Sequence, residues 1–331
     1  MSVDYRLLRA DEVDAAADLW VGYHADIESA QHQAWRREFR GIPQLLTHTR
    51  VAVTPDGALL SIIHYWPLTV YDANGEPQRV GRLSHVFTRE EARGQGHAAR
   101  LLELTITAMR DDGCLWSLLR TSDEARSLYE RHGWRAMPVR QVTCVATRTT
   151  EHTATRACTV RPYDPEREAN GWGRIAAIHR AYNTGRLLTA VRDSAYWRYI
   201  GARVGWWLES GQAHVLVATP ADEDDICAYA IAAFSRERGF LLAELGALPG
   251  KEGALPALLS DVIGRSEGAS PRGRLYLPHE PSLDDALGVL CTQVSYRTDD
   301  EYMVRAIAPD YDVRRLDALP IAPGNVAWML Y

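Results

Sequence analysis

A six-residue segment with the sequence RGQGHA, residues 93–98, connects a predicted strand at 81–88 with a long predicted helix at about 96–112. A helix that begins at such a turn presents backbone N–H groups without intrahelical partners at the positive end of its dipole. Gly94 and Gly96 allow positive φ and a close approach of the backbone to an anion. The segment therefore predicts a cradle for a diphosphate. It lacks the Gly-Lys-Ser/Thr of a Walker-type nucleotide loop.

The rest of the first half alternates between strand and helix patterns, separated by turns such as the one at 55–57. The predicted order is βααβββαβαβ, with strands at 5–9, 50–54, 59–70, 81–88, 114–119 and 139–147 and helices at 11–23, 32–39, 96–112 and 123–132. Because a helical crossover joins the strands at 81–88 and 114–119, these two are expected to run parallel. The pattern predicts a mixed α/β sheet.

The second half repeats this order of elements, with a strand at about 158–162, a helix at 166–182, three strands, and a helix at 253–265. Between the halves lies a polar stretch without apolar periodicity. The length of 331 residues also suits two domains. We predict a first domain at 1–148, a linker at 149–157, a second domain at 158–308 and a C-terminal tail at 309–331.

Charge and composition argue against several classes of function. The net charge of −6 disfavours a nucleic acid partner, which would require a basic excess, and is compatible with a cationic amine substrate. The five cysteines lack C-x-x-C spacing, which favours free buried thiols over a metal site. The first residues show no basic region followed by an apolar region, and no apolar stretch reaches about 18 residues, so we expect neither a leader nor a membrane span. We therefore expect a cytoplasmic protein without bound metal, nucleic acid or membrane contact.

The R-x-x-G-x-A spacing of residues 93–98 and the downstream Y-x-x-x-G-[FW] spacing of Tyr129, Gly133 and Trp134 together resemble the GNAT superfamily of acyl-CoA N-acyltransferases. The resemblance covers about residues 4–148. It implies that acetyl-CoA is the cosubstrate, that residues 93–98 hold its pyrophosphate, and that the strand at 86–88 pairs with its pantetheine arm. The implied donor-binding residues are Val86, Phe87, Thr88, Arg93, Gly94, Gln95, Gly96, His97 and Ala98.

Two consecutive domains of this kind look most like the enhanced-intracellular-survival type of acetyltransferase, or an antibiotic-modifying relative. In that type the first domain carries the activity, the second lacks a working CoA loop, and a third, sterol-carrier-like domain follows. The equivalent loop here, residues 247–253 (ALPGKEG), has no arginine, and Pro249 removes a backbone donor. We expect a degenerate second domain without CoA. Because only about twenty residues follow Pro309 in this sequence, we do not expect the third domain.

Two side chains are candidates for proton transfer, since acyl transfer from a thioester to an amine needs a base and a proton for the departing thiolate. Tyr129 can supply that proton as a neutral phenol, although its place on the same helical stripe as Leu128 also suits a core residue. His85 is the candidate base. Strand alternation predicts its side chain on the face opposite Ser84 and Val86 and leaves open which face meets the substrate.

The acceptor site is less sharply indicated. Asp26 and Glu28 follow the first predicted helix, where the family builds this site, and could anchor a cationic amine or belong to a solvated loop. The apolar tail at 325–331 suits a packed strand, or it brings the carboxylate of Tyr331 to the site. Aromatic residues at 196–199 and 206–207 suit core packing or a wall of the acceptor pocket.

Together these observations predict two GNAT-like α/β domains in tandem. The first is expected to transfer acetyl from acetyl-CoA to a primary amine of a small molecule, such as an aminoglycoside-like or other antibiotic. The second is expected to complete the acceptor site or to form an oligomer interface, so homo-oligomerisation stays open. The alternatives are a protein or peptide N-acetyltransferase with a long open groove, and a non-catalytic acyl-CoA-binding regulator, against which Tyr129 argues.

Overall fold

The computed structural model divides the chain into two compact units. The first comprises Met1–Thr69, Gln78–Met137 and Glu301–Asp317, and the second comprises Val70–Pro77, Pro138–Asp300 and Ala318–Tyr331. The structure describes residues 2–21, 36, 39–41, 44–72, 74–147, 158–164, 167–193, 197, 213–236, 239–266, 270–278 and 280–318.

Strands and helices alternate in both units. The helices of the described residues are α1 (Val13–Val21), α2 (Leu45–His48), α3 (His97–Asp111), α4 (Asp123–Arg131), α5 (Gly173–Tyr182), α6 (Leu255–Arg265) and α7 (Pro281–Leu290). Their strands are β1 (Asp4–Leu7), β2 (Thr49–Val53), β3 (Leu59–Tyr71), β4 (Pro77–Thr88), β5 (Trp116–Arg120), β6 (Arg135–Ala136), β7 (Val139–Ala146), β8 (Cys158–Tyr163), β9 (Thr189–Ala190), β10 (Ala213–Pro220), β11 (Ala228–Ser235), β12 (Gly239–Ala247), β13 (Arg272–Leu275), β14 (Cys291–Asp299) and β15 (Tyr302–Ala306). Most of these bounds agree with the predicted ones to within a few residues.

The first unit is built on a mixed sheet with the order β1-β2-β3-β4-β5-β15-β6. β4 and β5 run parallel, with Val80 opposite Trp116 and Arg82 opposite Leu118, and α3 forms the crossover between them. This confirms the predicted crossover. The buried stripe of α3, which includes Leu101 and Met109, packs on the sheet as its apolar spacing predicts.

The second unit repeats this architecture in the order β8-β10-β11-β12-β13-β7-β14. β12 and β13 run parallel and are joined by α6, just as β4 and β5 are joined by α3. α6 and α7 pack on one face of the sheet around a cluster that includes Leu258 and Leu283, while α5 contributes Ile175 and Ile178 to a second cluster. The sequence prediction of a repeated mixed α/β fold is confirmed.

Each sheet includes strands from the other half of the sequence, and in the first sheet these are β9, which pairs with β3, and β15. β7, which the sequence analysis assigned to the end of the first domain, pairs with β13 and β14 in the second sheet. β15 takes the corresponding place beside β5 in the first sheet. The alternating pattern of β7 fits either sheet, because side-chain alternation identifies a strand but not its neighbours. The expected linker at 149–157 lies outside the described residues.

Two kinds of structure are absent from the described residues. No helix among them is long and apolar enough to cross a membrane. They also contain no group of three or more His, Cys, Asp or Glu side chains that could hold a metal ion. All five cysteines are free, and Cys158 alone among them is only half-buried.

Candidate active site

The glycine segment between β4 and α3 adopts the backbone conformation that an anion cradle requires. Gly94 and Gly96 have φ of +75° and +83°, and a Cβ added at either position would meet no atom within 4 Å. The first backbone bond of the helix joins the Arg100 N–H to the Gly96 carbonyl at 3.0 Å. The N–H groups immediately before Arg100 are therefore left without helical partners at the positive end of the helix.

Side chains next to the glycines hold this segment in place. The Arg93 guanidinium donates to the Thr88 carbonyl at 3.3 Å and lies 6.0 Å from the centre of the Phe87 ring. The Gln95 amide donates to the Glu91 carbonyl at 3.0 Å. Both side chains are exposed, so they remain accessible to a ligand.

His97 differs from the other members of the cradle because its side chain is buried. Its Nδ1 lies 2.8 Å from the hydroxyl of Tyr5 on β1. The imidazole thus fixes the start of α3 against the sheet, and only the backbone of His97 faces the cradle. Ala98 is half-buried.

β4 and β5 pair only along part of their length. The paired positions on β4 end at Arg82, although the strand continues to Thr88. Val86, Phe87 and Thr88 are half-buried, and the Ser61 hydroxyl of β3 binds the Phe87 carbonyl at 2.9 Å. The two parallel strands therefore separate towards their carboxyl ends, directly before the helix starts of α3 and α4. A backbone edge is left there for an extended ligand to pair with.

His85 interrupts the regular alternation of β4. Its φ of +50° is unusual for a residue with a side chain. Leu83 and Val86 pack in the same cluster, whereas residues three apart in a regular strand face opposite sides. The prediction that His85 lies opposite both of its neighbours is therefore wrong in part: its Nδ1 lies 2.9 Å from the Ser84 hydroxyl on the same side, and only Val86 lies opposite.

The His85 ring lies among aromatic side chains. The centre of its imidazole is 4.6 Å from that of Trp20, 5.7 Å from Phe39 and 5.9 Å from His64. Trp20 and Phe39 belong to the cluster around α1. His85 therefore faces the α1 side of the sheet.

His64 is a neighbour of this site that the sequence analysis missed. Its Nδ1 lies 2.9 Å from the Thr49 hydroxyl, and its Nε2 is buried without a hydrogen-bond partner. Burial lowers the pKa of His64 to about 3, and the electrostatic interactions with Arg82 and His48 act in the same direction. His64 is therefore neutral at physiological pH. A histidine within the buried apolar strand β3 was the only signal in the sequence.

Tyr129 lies on the opposite side of the sheet from His85. It projects from α4, is 5% exposed, and shares a cluster with Leu101, Trp134 and Val86. Its ring is 6.1 Å from that of Trp134. Burial raises the pKa of the Tyr129 phenol, so the hydroxyl stays protonated over the working pH range.

The structure brings the cradle, the separated strands, His85 and Val86 to one edge of the first sheet. Several predicted acceptor-site residues lie outside the described residues, namely Asp26, Glu28, Tyr196, Trp206, Trp207 and Tyr331. Trp197 is described, and it is buried in the core of the second unit, stacked 5.4 Å from Trp172.

The equivalent loop of the second unit has a different chemistry. The backbone N–H of Gly250 donates to the carboxylate of Glu252 at 3.1 Å. The Glu252 carboxylate thus occupies a backbone N–H group that a phosphate would otherwise bind. Pro249 supplies no N–H, and Lys251 is paired with Glu223.

Residues 4–137 match the acetyltransferase (GNAT) domain family. No curated protein sequence is significantly similar to the chain. Among solved structures, the chain is similar to a GCN5-related N-acetyltransferase from Kribbella flavida, with 16% identity, 92% of this chain and 71% of that chain covered, and a TM-score of 0.65. It is also similar to Eis1 from Mycobacterium abscessus, with 18% identity, 92% and 74% covered, and a TM-score of 0.58.

A tandem GNAT protein from the clavulanic acid biosynthesis pathway is similar over 94% of this chain and all of its own length, with 11% identity and a TM-score of 0.56. At such identities the structural likeness establishes the fold alone, and it does so for both units. Residues 4–137 carry a GNAT acetyltransferase domain. The family match covers the first unit, and the structural similarity over both units shows two GNAT-like domains in tandem.

Proposed function

We propose that this chain transfers the acetyl group of acetyl-CoA to a primary amine of a small molecule. The observation that carries the proposal is the convergence, at one edge of the first sheet, of a positive-φ glycine cradle and two separating parallel strands. The cradle suits a diphosphate and the strand edge suits an extended arm that ends in a thioester.

The donor would be held mainly by the backbone. N–H groups of residues 94–98 would bind the pyrophosphate, and Arg93, exposed beside them, would add positive charge. The backbone of Val86, Phe87 and Thr88 would pair with the pantetheine arm, because β5 no longer occupies that edge. The second unit would not bind CoA, since Glu252 already occupies its loop.

Two side chains would move the protons of the reaction. His85, directly or through water, would take a proton from the substrate ammonium, which frees the nitrogen lone pair. The nitrogen would attack the thioester carbonyl, held by backbone N–H groups of β4, to form the C–N bond of a tetrahedral intermediate. Collapse of this intermediate would break the C–S bond. Tyr129 would give its proton to the departing thiolate and regain one from the amine nitrogen through solvent. The products are an amide and a free thiol.

The acceptor site would lie on the α1 side of the sheet, where Trp20 and Phe39 surround His85. Asp26 and Glu28 would anchor the cationic amine there. Aromatic walls and carboxylates suit a compact polar amine, such as an aminoglycoside-like antibiotic. We place the protein in the cytoplasm and leave homo-oligomerisation open.

The proposal is tested by CoA release from acetyl-CoA with a panel of aminoglycosides, polyamines, amino-acid-derived antibiotics and short peptides. Tyr129→Phe should lower kcat by about 100-fold or more on the best amine with little change in the Kd of acetyl-CoA. Tyr163→Phe, which removes a buried phenol of the second unit that donates to the Gly171 carbonyl, is the matched control and should keep full activity. Turnover on peptides alone would overturn the small-molecule acceptor, and CoA binding without turnover on any amine would favour a regulator.

A further inference from the structure

One end of the second sheet carries a polar face. In β7, Cys144 and Ala146 pack in the cluster under α6 and α7, as Leu275 of β13 does. By alternation, Thr143 of β7 and Arg274 of β13 face the other side of the sheet. We call this side, across β13, β7 and β14, the arginine face; its polar members are Thr143, Arg272, Arg274, Gln293, Ser295 and Arg297.

The strand register brings these side chains together in adjacent rows. Arg274 lies opposite Thr143, which lies opposite Ser295 on β14. Arg272 precedes this row by two residues on β13, and Arg297 follows it by two residues on β14. Successive rows lie about 6.6 Å apart and neighbouring strands about 4.8 Å apart, so all three arginine side chains can reach the central hydroxyl row.

A cavity of about 480 Å³ lies over this face and is lined by all three arginines. Its volume falls in the range of small-molecule sites. The lining contains no Asp or Glu, and Leu241 is among its apolar members. The cavity is therefore a positively charged hollow with hydroxyl groups at its centre.

The three arginines of this face lack side-chain partners among the described residues. By contrast, Arg140 of β7, which faces the opposite side of the sheet, pairs with Asp284 at 2.6 Å. Among the described residues, Arg272, Arg274 and Arg297 have no carboxylate within ion-pair distance and no side-chain hydrogen bond. In a chain with a net charge of −6, three unpaired arginines in one cavity concentrate positive charge that no described side chain neutralises.

We propose that the arginine face binds a small molecule that carries phosphate groups. Guanidinium groups bind phosphate oxygens through paired N–H donors, and the hydroxyl of Ser295 can add a further donor. Three positive charges in one cavity favour a ligand with at least two negative charges, which a phosphate or diphosphate group supplies. This site lies in the second unit, shares no residue with the donor cradle, and does not depend on the proposed acetyl transfer.

Isothermal titration of the full chain with inorganic pyrophosphate tests the site, and a repeat in the Gly96→Asp background separates it from the cradle of the first unit. The combined variant Arg272→Gln/Arg274→Gln/Arg297→Gln should weaken pyrophosphate binding about tenfold or more. Arg167→Gln removes one charge from an exposed arginine elsewhere in the second unit and should leave it unchanged. Because the three side chains are exposed, the combined variant should keep the melting temperature and the acetyl-CoA affinity of the parent.

A second variant distinguishes direct contact of a guanidinium with the phosphate from a long-range effect of charge. Arg274→Lys keeps the charge but removes the paired donors, and should weaken binding several-fold if the guanidinium contacts the phosphate. Failure of the parent protein to bind pyrophosphate would overturn the proposal. Equal affinity of the parent and the combined variant would overturn it as well, and so would binding of citrate in preference to pyrophosphate.

Discussion

Leu83 and Val86 pack in the same hydrophobic cluster although they lie three residues apart on one strand. Between them His85 adopts φ of +50°, so that β4 contains one residue more than regular alternation allows. Such an irregularity bends a strand and turns its backbone groups out of the ladder. Pairing between β4 and β5 ends at Arg82. The irregular residue and the gap that would receive the donor are thus two aspects of one local feature.

We predict that position 85 discriminates between residues that tolerate positive φ and residues that do not. His85→Val should lower the free energy of unfolding by about 1–3 kcal/mol more than His85→Asn does, because a β-branched residue is strained there and asparagine is not. Both variants lose the same imidazole contacts with Trp20 and Phe39, so the difference between them measures the backbone strain at position 85. Urea titration of the two variants measures it, and equal midpoints would contradict a strained position.

A second prediction separates the two neighbouring histidines by their effect on pH dependence. If His85 is the base, kcat/KM of the parent falls on the acid side as the imidazole takes up a proton and loses its lone pair. His85→Asn should lower kcat by about 100-fold and abolish that acid limb. The pKa of His64 is lowered to about 3, so His64 does not titrate above that range, and His64→Gln should keep the limb. If the acid limb is lost in His64→Gln and kept in His85→Asn, the base is His64 and the assignment to His85 is wrong.

The two glycine loops give a matched pair for testing the cradle. Gly96 and Gly250 both have positive φ, +83° and +79°, and a Cβ at either would meet no atom within 4 Å. Gly96→Asp places a carboxylate where the diphosphate would bind and should raise the Kd of acetyl-CoA by about 100-fold or more through like-charge repulsion. Gly250→Asp introduces the same strain and charge into the second loop and should leave the Kd unchanged. Equal effects of the two substitutions would mean that the cradle has no special role.

Much of this architecture could be predicted from the sequence because its signals are local. The cradle needs only a strand, two glycines and a helix start, and the stripe of α3 follows from spacing within one helix. The exchange of β7 and β15 between the sheets could not be predicted, since it depends on pairings between residues far apart in the chain, such as Met303 with Leu119. The positive φ of His85 could not be predicted either, because a histidine side chain does not require this backbone conformation.

Buried charge in the second unit was likewise invisible in the sequence. Arg192 and Glu244 lie 52 residues apart and form two hydrogen bonds of 3.0 and 2.6 Å, with both side chains almost fully buried. The Tyr229 hydroxyl donates to the same carboxylate at 2.5 Å. Each of these residues alone suits an ordinary strand or loop position. Their combination makes the core of the second unit dependent on one charged pair.

The last prediction concerns this pair and its dependence on pH. Burial alone would raise the pKa of Glu244, but the positive charges of Arg192 and His179 and the hydrogen bonds from Arg192 and Tyr229 outweigh it, so the pKa lies below its ordinary 4.5. A carboxyl whose pKa is lowered by folding stabilises the folded state above its unfolded pKa, and this contribution is lost as the pH falls through the folded value.

Glu244→Gln leaves the Arg192 charge buried without a counter-ion and should lower the free energy of unfolding by about 3–5 kcal/mol at neutral pH. Tyr229→Phe removes only one hydrogen bond to a charged group and should cost about 1.5–3 kcal/mol. Urea midpoints measured from pH 7 down to pH 3 should fall less steeply for Glu244→Gln than for the parent, and parallel profiles would rule out Glu244 as a source of the acid sensitivity.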